Sequence, residues 1–130
     1  MRIFLIFILS SLFFSTSTFA ESRGEMMYKK LTCFACHGEA GRGMVRKKDK
    51  FNKKTGKYKY RKGDMLPGFE RYPKLAGQSS VYLLEQMKDF FSGKRTNGLS
   101  SAMMGVKGLV DSTAKPGDLK AISDYLSKVK

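Results

Sequence analysis

Both cysteines and the only histidine of the 130-residue chain fall within five consecutive positions, Cys33-Phe34-Ala35-Cys36-His37, and no other feature restricts the fold as much. A Cys-x-x-Cys pair can be a disulfide, a redox dithiol, part of a zinc site or a covalent anchor. Zinc needs about four ligands, and two cysteines plus one histidine leave it short with no second cluster. Thioredoxin-type dithiols open a helix that follows a strand. Here Met27, Leu31 and Phe34 recur at i, i+4 and i+7, predicting a helix from about Arg23 to Cys36 that the motif closes, with Gly38, Gly41 and Gly43 as stops. The reading that remains is covalent haem attachment, of which Cys-x-x-Cys-His is the sequence signal. Positions i, i+3 and i+4 share one helical face. Cys33 and Cys36 can therefore form thioethers to a single haem c while His37 reaches its iron as proximal ligand.

The second axial ligand cannot be a histidine, so methionine, lysine or an open position remain. Met103 and Met104, in "GLSSAMMGVKG", are expected in a loop with no helical stripe to explain them, which makes the pair the ligand candidate. Met26, Met27 and Met87 lie on helical patterns and read as core filling. A thioether is a soft, neutral ligand that raises the haem potential and suits reversible one-electron transfer. With both axial positions filled, substrate chemistry at the iron is not expected.

Two further helices are predicted. One runs from Ser79 or Ser80 through "VYLLEQMKDFF" to Gly93, apolar nearly all round and so expected to be largely buried. The other is "PGDLKAISDYLSKV", with Leu119, Ile122, Leu126 and Val129 as one stripe and Pro116 in its first turn. Between the first two helices, residues 38–78 are long and polar for so small a domain, and need something else to organise them. Within them "KFNKKTGKYKY" can form a hairpin with Lys-Thr-Gly as its turn and Phe51, Tyr58 and Tyr60 beside it.

The N-terminus has the layout of a secretory signal: Arg2, an apolar run from Ile3 to Phe14 broken only by Ser10 and Ser11, and small residues before a cleavage point after Ala20. The run is short for a membrane span, which needs about 20 apolar residues. Cleavage leaves residues 21–130, enough for one domain, in a periplasmic protein. The formal net charge is +14, and residues 42–62 hold eleven lysines and arginines against one acid, Asp49. An exported chain rarely meets nucleic acid. An acidic redox-partner protein is the expected partner of this charge, with transient association with an anionic membrane surface as the other use, and the protein is expected to be a monomer.

At this point four blocks, "GEMMYKKLTCFACHG", "PKLAGQSSVYLLEQMKDFFSGKR", "AMM" and "DLKAISDYL", match in order. The chain resembles the small class I c-type cytochromes, particularly the cytochrome c4/c5/c553-like group, over nearly all its length apart from the basic segment. The resemblance implies an all-α fold of three main helices and loops around one covalently bound haem, with the terminal helices crossing near Gly24, Tyr28 and Tyr125. It implies Met104 as distal ligand, Pro73 as the residue whose carbonyl holds the proximal imidazole, and Arg95 near the haem propionates. It also implies an electron carrier rather than an enzyme, shuttling between respiratory or dehydrogenase partners; the alternative is a bound cytochrome subunit of a larger dehydrogenase or sulfur-oxidising complex. The chain departs from compact members in its long basic insertion, about residues 42–66, and in the approach to the last helix through "VKGLVDSTAKPG".

Overall fold

The computed structural model describes residues 21–130, so the expected signal segment and its cleavage point lie outside the described residues. Helices α1 (Arg23–Lys30) and α2 (Phe34–His37) are followed by a 3-10 turn (Glu39–Gly41) and strands β1 (Lys50–Asn52) and β2 (Lys57–Tyr60). Then come α3 (Ser80–Phe91), α4 (Ser100–Met104), α5 (Lys107–Thr113) and α6 (Asp118–Lys128). The fold is the mostly helical one expected, with α1, α3 and α6 as its frame.

Ser22 starts α1 by accepting the backbone N–H of Glu25 at 3.1 Å. Glu25 lies in the first turn and Lys29 and Lys30 in the last, matching the helix dipole at each end. The buried face of α1, Gly24, Met27 and Tyr28, packs against α6. Gly24 marks the crossing: a Cβ there would lie 2.1 Å from the Ala121 carbonyl oxygen and 2.6 Å from Tyr125 Cβ. One turn further on, the rings of Tyr28 and Tyr125 meet at 6.1 Å, as the family resemblance implied. Met27, Tyr28, Leu31, Leu83, Val110, Ile122 and Leu126 form the buried core.

Several local expectations change. The first helix does not run on to Cys36: it stops at Lys30, Leu31 caps it, and Thr32 takes a left-handed conformation with φ 56°. The break follows from two needs, since Leu31 must enter the core while the next turn must present the cysteines elsewhere. Met26 does not fill the core, being 49% exposed. Helix α3 has the predicted bounds but only Leu83 is buried: Met87, Phe90 and Phe91 border a cavity, and Val81 and Tyr82 face outward. Helix α6 begins at Asp118, one residue after a left-handed Gly117, so Pro116 precedes the helix and is not in its first turn. Met103 and Met104 lie in α4 and not in a loop.

The basic segment is folded. Phe51 pairs with Tyr58 and Asn52 with Lys57 across an antiparallel hairpin. Gly56, at φ 65°, closes the turn by donating to the Asn52 carbonyl at 3.0 Å. A bridge between Val45 and Met65 and a bond from Leu66 N–H to the Met44 carbonyl at 2.8 Å hold its base together.

Gly24→Ala is expected to lower the unfolding free energy by about 1–3 kcal/mol through overpacking at the crossing, read by thermal or denaturant melting. A Gly24→Ala protein as stable as wild type would show that the helices do not meet there. A second expectation concerns Asp118, which is buried, accepts Lys115 N–H at 2.8 Å and pairs with Arg23 at 2.6 Å. The Lys115 N–H, and after it Arg23, hold its carboxyl below the ordinary 3.8. A depressed folded-state pKa gives stability that is present above the unfolded value and lost as pH falls through the folded one. Asp118→Asn should therefore melt below wild type at neutral pH, with the gap closing below about pH 4. A gap independent of pH would refute the charged pairing.

Candidate functional site

The walls of one cavity of about 360 Å³ bring together Cys33, Cys36, His37, Pro73, Arg95 and Met103. Its volume lies within the range of small-molecule sites, about 300–1,000 Å³. The rest of the lining is largely apolar: Leu31, Leu83 and Leu126 from the core, with Met87 and Phe91 from α3. The core of the protein and the wall of the cavity are thus the same side chains.

Each chemical group is placed by a local backbone cause. Cys33 is the N-cap of α2, and the single turn that follows carries Cys36 and His37 round to the cavity. Gly38 ends α2 at φ 74° and stands so close to Gly43 that a Cβ would lie 2.0 Å from the Gly43 carbonyl oxygen. Gly43 N–H donates to the His37 carbonyl at 2.8 Å, and the buried Tyr28 hydroxyl donates to the Gly38 carbonyl at 2.7 Å. These bonds fix the backbone at His37 and immediately after it.

The His37 imidazole is buried, and its Nδ1 lies 3.0 Å from the Pro73 carbonyl oxygen. A carbonyl only accepts, so Nδ1 carries the proton and Nε2 keeps its lone pair. Desolvation lowers the imidazole pKa, with the Pro73 bond acting in the opposite sense, so the ring is held neutral, the form that binds a metal. Tyr72 stands edge-on to it with ring centroids 6.3 Å apart.

The two cysteines are not joined to each other. Burial first, and then the neighbouring Cys36, push the Cys33 thiol up to about 11. Redox dithiols work through a lowered thiol pKa, so this environment is the opposite of what that chemistry requires. Among the described residues, no three His, Cys, Asp or Glu side chains come together as a metal-ion site. The donor set fits a haem: two unpaired thiols, a neutral imidazole with a free nitrogen, a thioether and apolar walls around them.

Met103 lines the cavity, whereas Met104 is 37% exposed and does not. This differs from the expectation that the second methionine of the pair faces the haem. Within α4, Ser100 and Met103 line the cavity, with Leu99 at the N-cap, while Met104 is turned outward; Val106 and Val110 complete the wall from the start of α5. Arg95 is half-buried on the cavity rim, donates to Gln86 and to Asn97 Oδ1, and stacks over Phe90 at 4.6 Å. The sequence reading did not single out Tyr72, Leu83, Phe91 or the Tyr28 hydroxyl bond; the position of Tyr72 beside Pro73 was the available signal.

The pattern of the family described as Cytochrome c matches residues 21–130. The chain belongs to the cytochrome c family. No curated protein matches it. As a cytochrome c it carries haem c, covalently attached, and serves electron transfer. Cys33, Cys36 and His37 stand together on the cavity wall inside the helix frame, a donor set that fits such a group.

Cys33→Ala and Cys36→Ala cytochromes are each expected to keep the haem through one thioether, with a shifted pyridine haemochrome band. The double variant should show no covalent haem on a denaturing gel. Covalent haem in the double variant would remove both residues from the attachment role.

Proposed function

We propose that this cytochrome c is a periplasmic one-electron carrier with His37 and Met103 as its axial ligands, shuttling electrons between respiratory or dehydrogenase partners. One observation carries the reading: one apolar cavity has both cysteines and His37 on its wall together with Met103 from α4. When bound, haem c supplies reversible one-electron chemistry at its iron.

The remaining work belongs to the chain. His37, neutral and oriented by the Pro73 carbonyl, offers Nε2 in a fixed direction. Met103 offers a soft, uncharged sulfur that favours the reduced state. Leu83, Met87 and Phe91 exclude water from the cavity, so little solvent rearranges when charge changes inside it. Arg95, held by Gln86 and Asn97 on the rim, places a cation where acidic substituents of the group would be compensated. With His37 and Met103 both holding the iron, no position on it would be left for a substrate. The positive charge of the mature chain steers it towards an acidic redox partner, an attraction that fades with salt.

The ligand assignment is tested in the ferric holoprotein. Met103→Ala should abolish the weak near-infrared band of methionine ligation, while Met104→Ala should leave it in place. The reverse outcome would give the role to Met104, and a band absent from the wild type would exclude the six-coordinate carrier.

A further inference from the structure

The electron-transfer reading uses the cavity and, of the inserted hairpin, only its net charge, leaving its exposed rings unexplained. Its base is fixed by backbone bonds, among them Arg46 N–H to the Asp64 carbonyl at 2.9 Å, yet every residue from 47 to 59 is exposed. Nothing in the body of the protein covers Phe51 or Tyr58, which face each other across the strands at 5.1 Å and are 50% and 49% exposed. Two large rings in contact and half in water at the outer end of a folded hairpin form a small contiguous apolar patch, the feature that marks a contact surface.

The charges around them are divided by type. Arg46 lies over the Tyr60 ring at 3.7 Å and Arg61 over the Tyr58 ring at 4.9 Å, so two arginines are occupied as ring covers. Asp49 accepts the Lys62 N–H at 2.5 Å and Asp64 accepts the Arg61 N–H at 2.7 Å, so both nearby acids are tied to backbone. Among the described residues only Lys47 of the hairpin lysines has a carboxylate partner, Glu39 at 3.5 Å. The free cations are therefore lysines. Protein docking surfaces are enriched in arginine and poor in lysine. Lysines beside tyrosine and phenylalanine are the composition of segments that sit at the boundary of an anionic bilayer, the rings at headgroup level and the ammonium groups over phosphates. Beside the hairpin, a shallow open depression lined by Phe51, Tyr58, Lys59 and Tyr60 together with Arg61 and Asp64 adds room for a polar headgroup.

We infer that the hairpin is a membrane-surface anchor, with Phe51, Tyr58 and the lysines around them engaging the headgroup region of a bilayer that contains anionic phospholipid. No helix among the described residues is long and apolar enough to cross a membrane, so the contact is peripheral. It confines the carrier to the surface in which membrane-bound electron donors and acceptors lie. The inference does not depend on which methionine binds the iron.

The test uses the haem-loaded mature protein, whose visible absorbance reports both integrity and location, in sedimentation with vesicles of phosphatidylcholine alone or mixed with phosphatidylglycerol. Binding is expected only where phosphatidylglycerol is present. Phe51→Ser with Tyr58→Ser should weaken it at least about tenfold with the haem spectrum unchanged. Lys53→Gln and Lys54→Gln should each weaken it about fivefold. Equal binding to neutral vesicles, or undiminished binding by the Phe51→Ser, Tyr58→Ser protein, would overturn the inference. Release by inorganic phosphate under conditions where chloride of equal ionic strength has no effect would show a free-phosphate site instead. Tighter binding to polyglutamate or to a single-stranded oligonucleotide than to the phosphatidylglycerol vesicles would also overturn it, pointing to an acidic protein or nucleic acid as the occupant.

Discussion

Without a side chain on Gly24, the backbones of α1 and α6 approach until a Cβ would stand 2.1 Å from the Ala121 carbonyl oxygen. Everything needed at the haem cavity is referred to that contact. It sets Tyr28 and Leu31 on one helix against Ile122 and Leu126 on the other, and all four also line the cavity. From α1 the chain turns sharply at Thr32 into the short helix that carries the cysteines and His37. From α6 the reach extends to the opposite loop, where Gly77 N–H donates to the Leu126 carbonyl at 2.9 Å, only a few residues beyond Pro73. The carbonyl that orients His37 and the backbone that presents it are therefore both hung from one helix pair.

A cavity whose walls are the core changes how stability should be understood here. A chain of this size has few apolar residues to spare, and many of them face the cavity that fits the haem. Helix α3 shows the arrangement most clearly. Its sequence is apolar nearly all round, yet Val81 and Tyr82 face water while Met87, Phe90 and Phe91 border the cavity. Cofactor and polypeptide divide one hydrophobic core between them, so attachment contributes to folding as well as to redox chemistry.

The parts legible in the sequence were those fixed by spacing over a few residues. Cys33, Cys36 and His37 declared the cofactor, the hairpin declared its turn at Gly56, and α3 and α6 were placed to within a residue or two. The parts that were not legible depended on contacts from far along the chain. The break at Thr32 is invisible to periodicity because Met27, Leu31 and Phe34 keep helical spacing across it. The two methionines look alike in sequence, and only the cavity wall, which takes in Met103 and not Met104, separates them. Pro73 came from the resemblance to known cytochromes alone, since its bond to His37 spans 36 positions and no local pattern encodes it.

The hairpin leaves the body at Met44 and returns at Leu66, and these two residues are joined by a backbone bond of 2.8 Å. An excursion whose ends already touch asks little of the rest of the chain. Closing a longer loop adds only about 0.6 kcal/mol for each doubling of its length. The glycine pinch at Gly38 and Gly43 lies on the body side of that junction and holds the backbone around His37 whatever the excursion contains. Such a junction works as a socket: lineages could lengthen, shorten or exchange what is plugged into it, changing where the cytochrome goes without retuning the cavity.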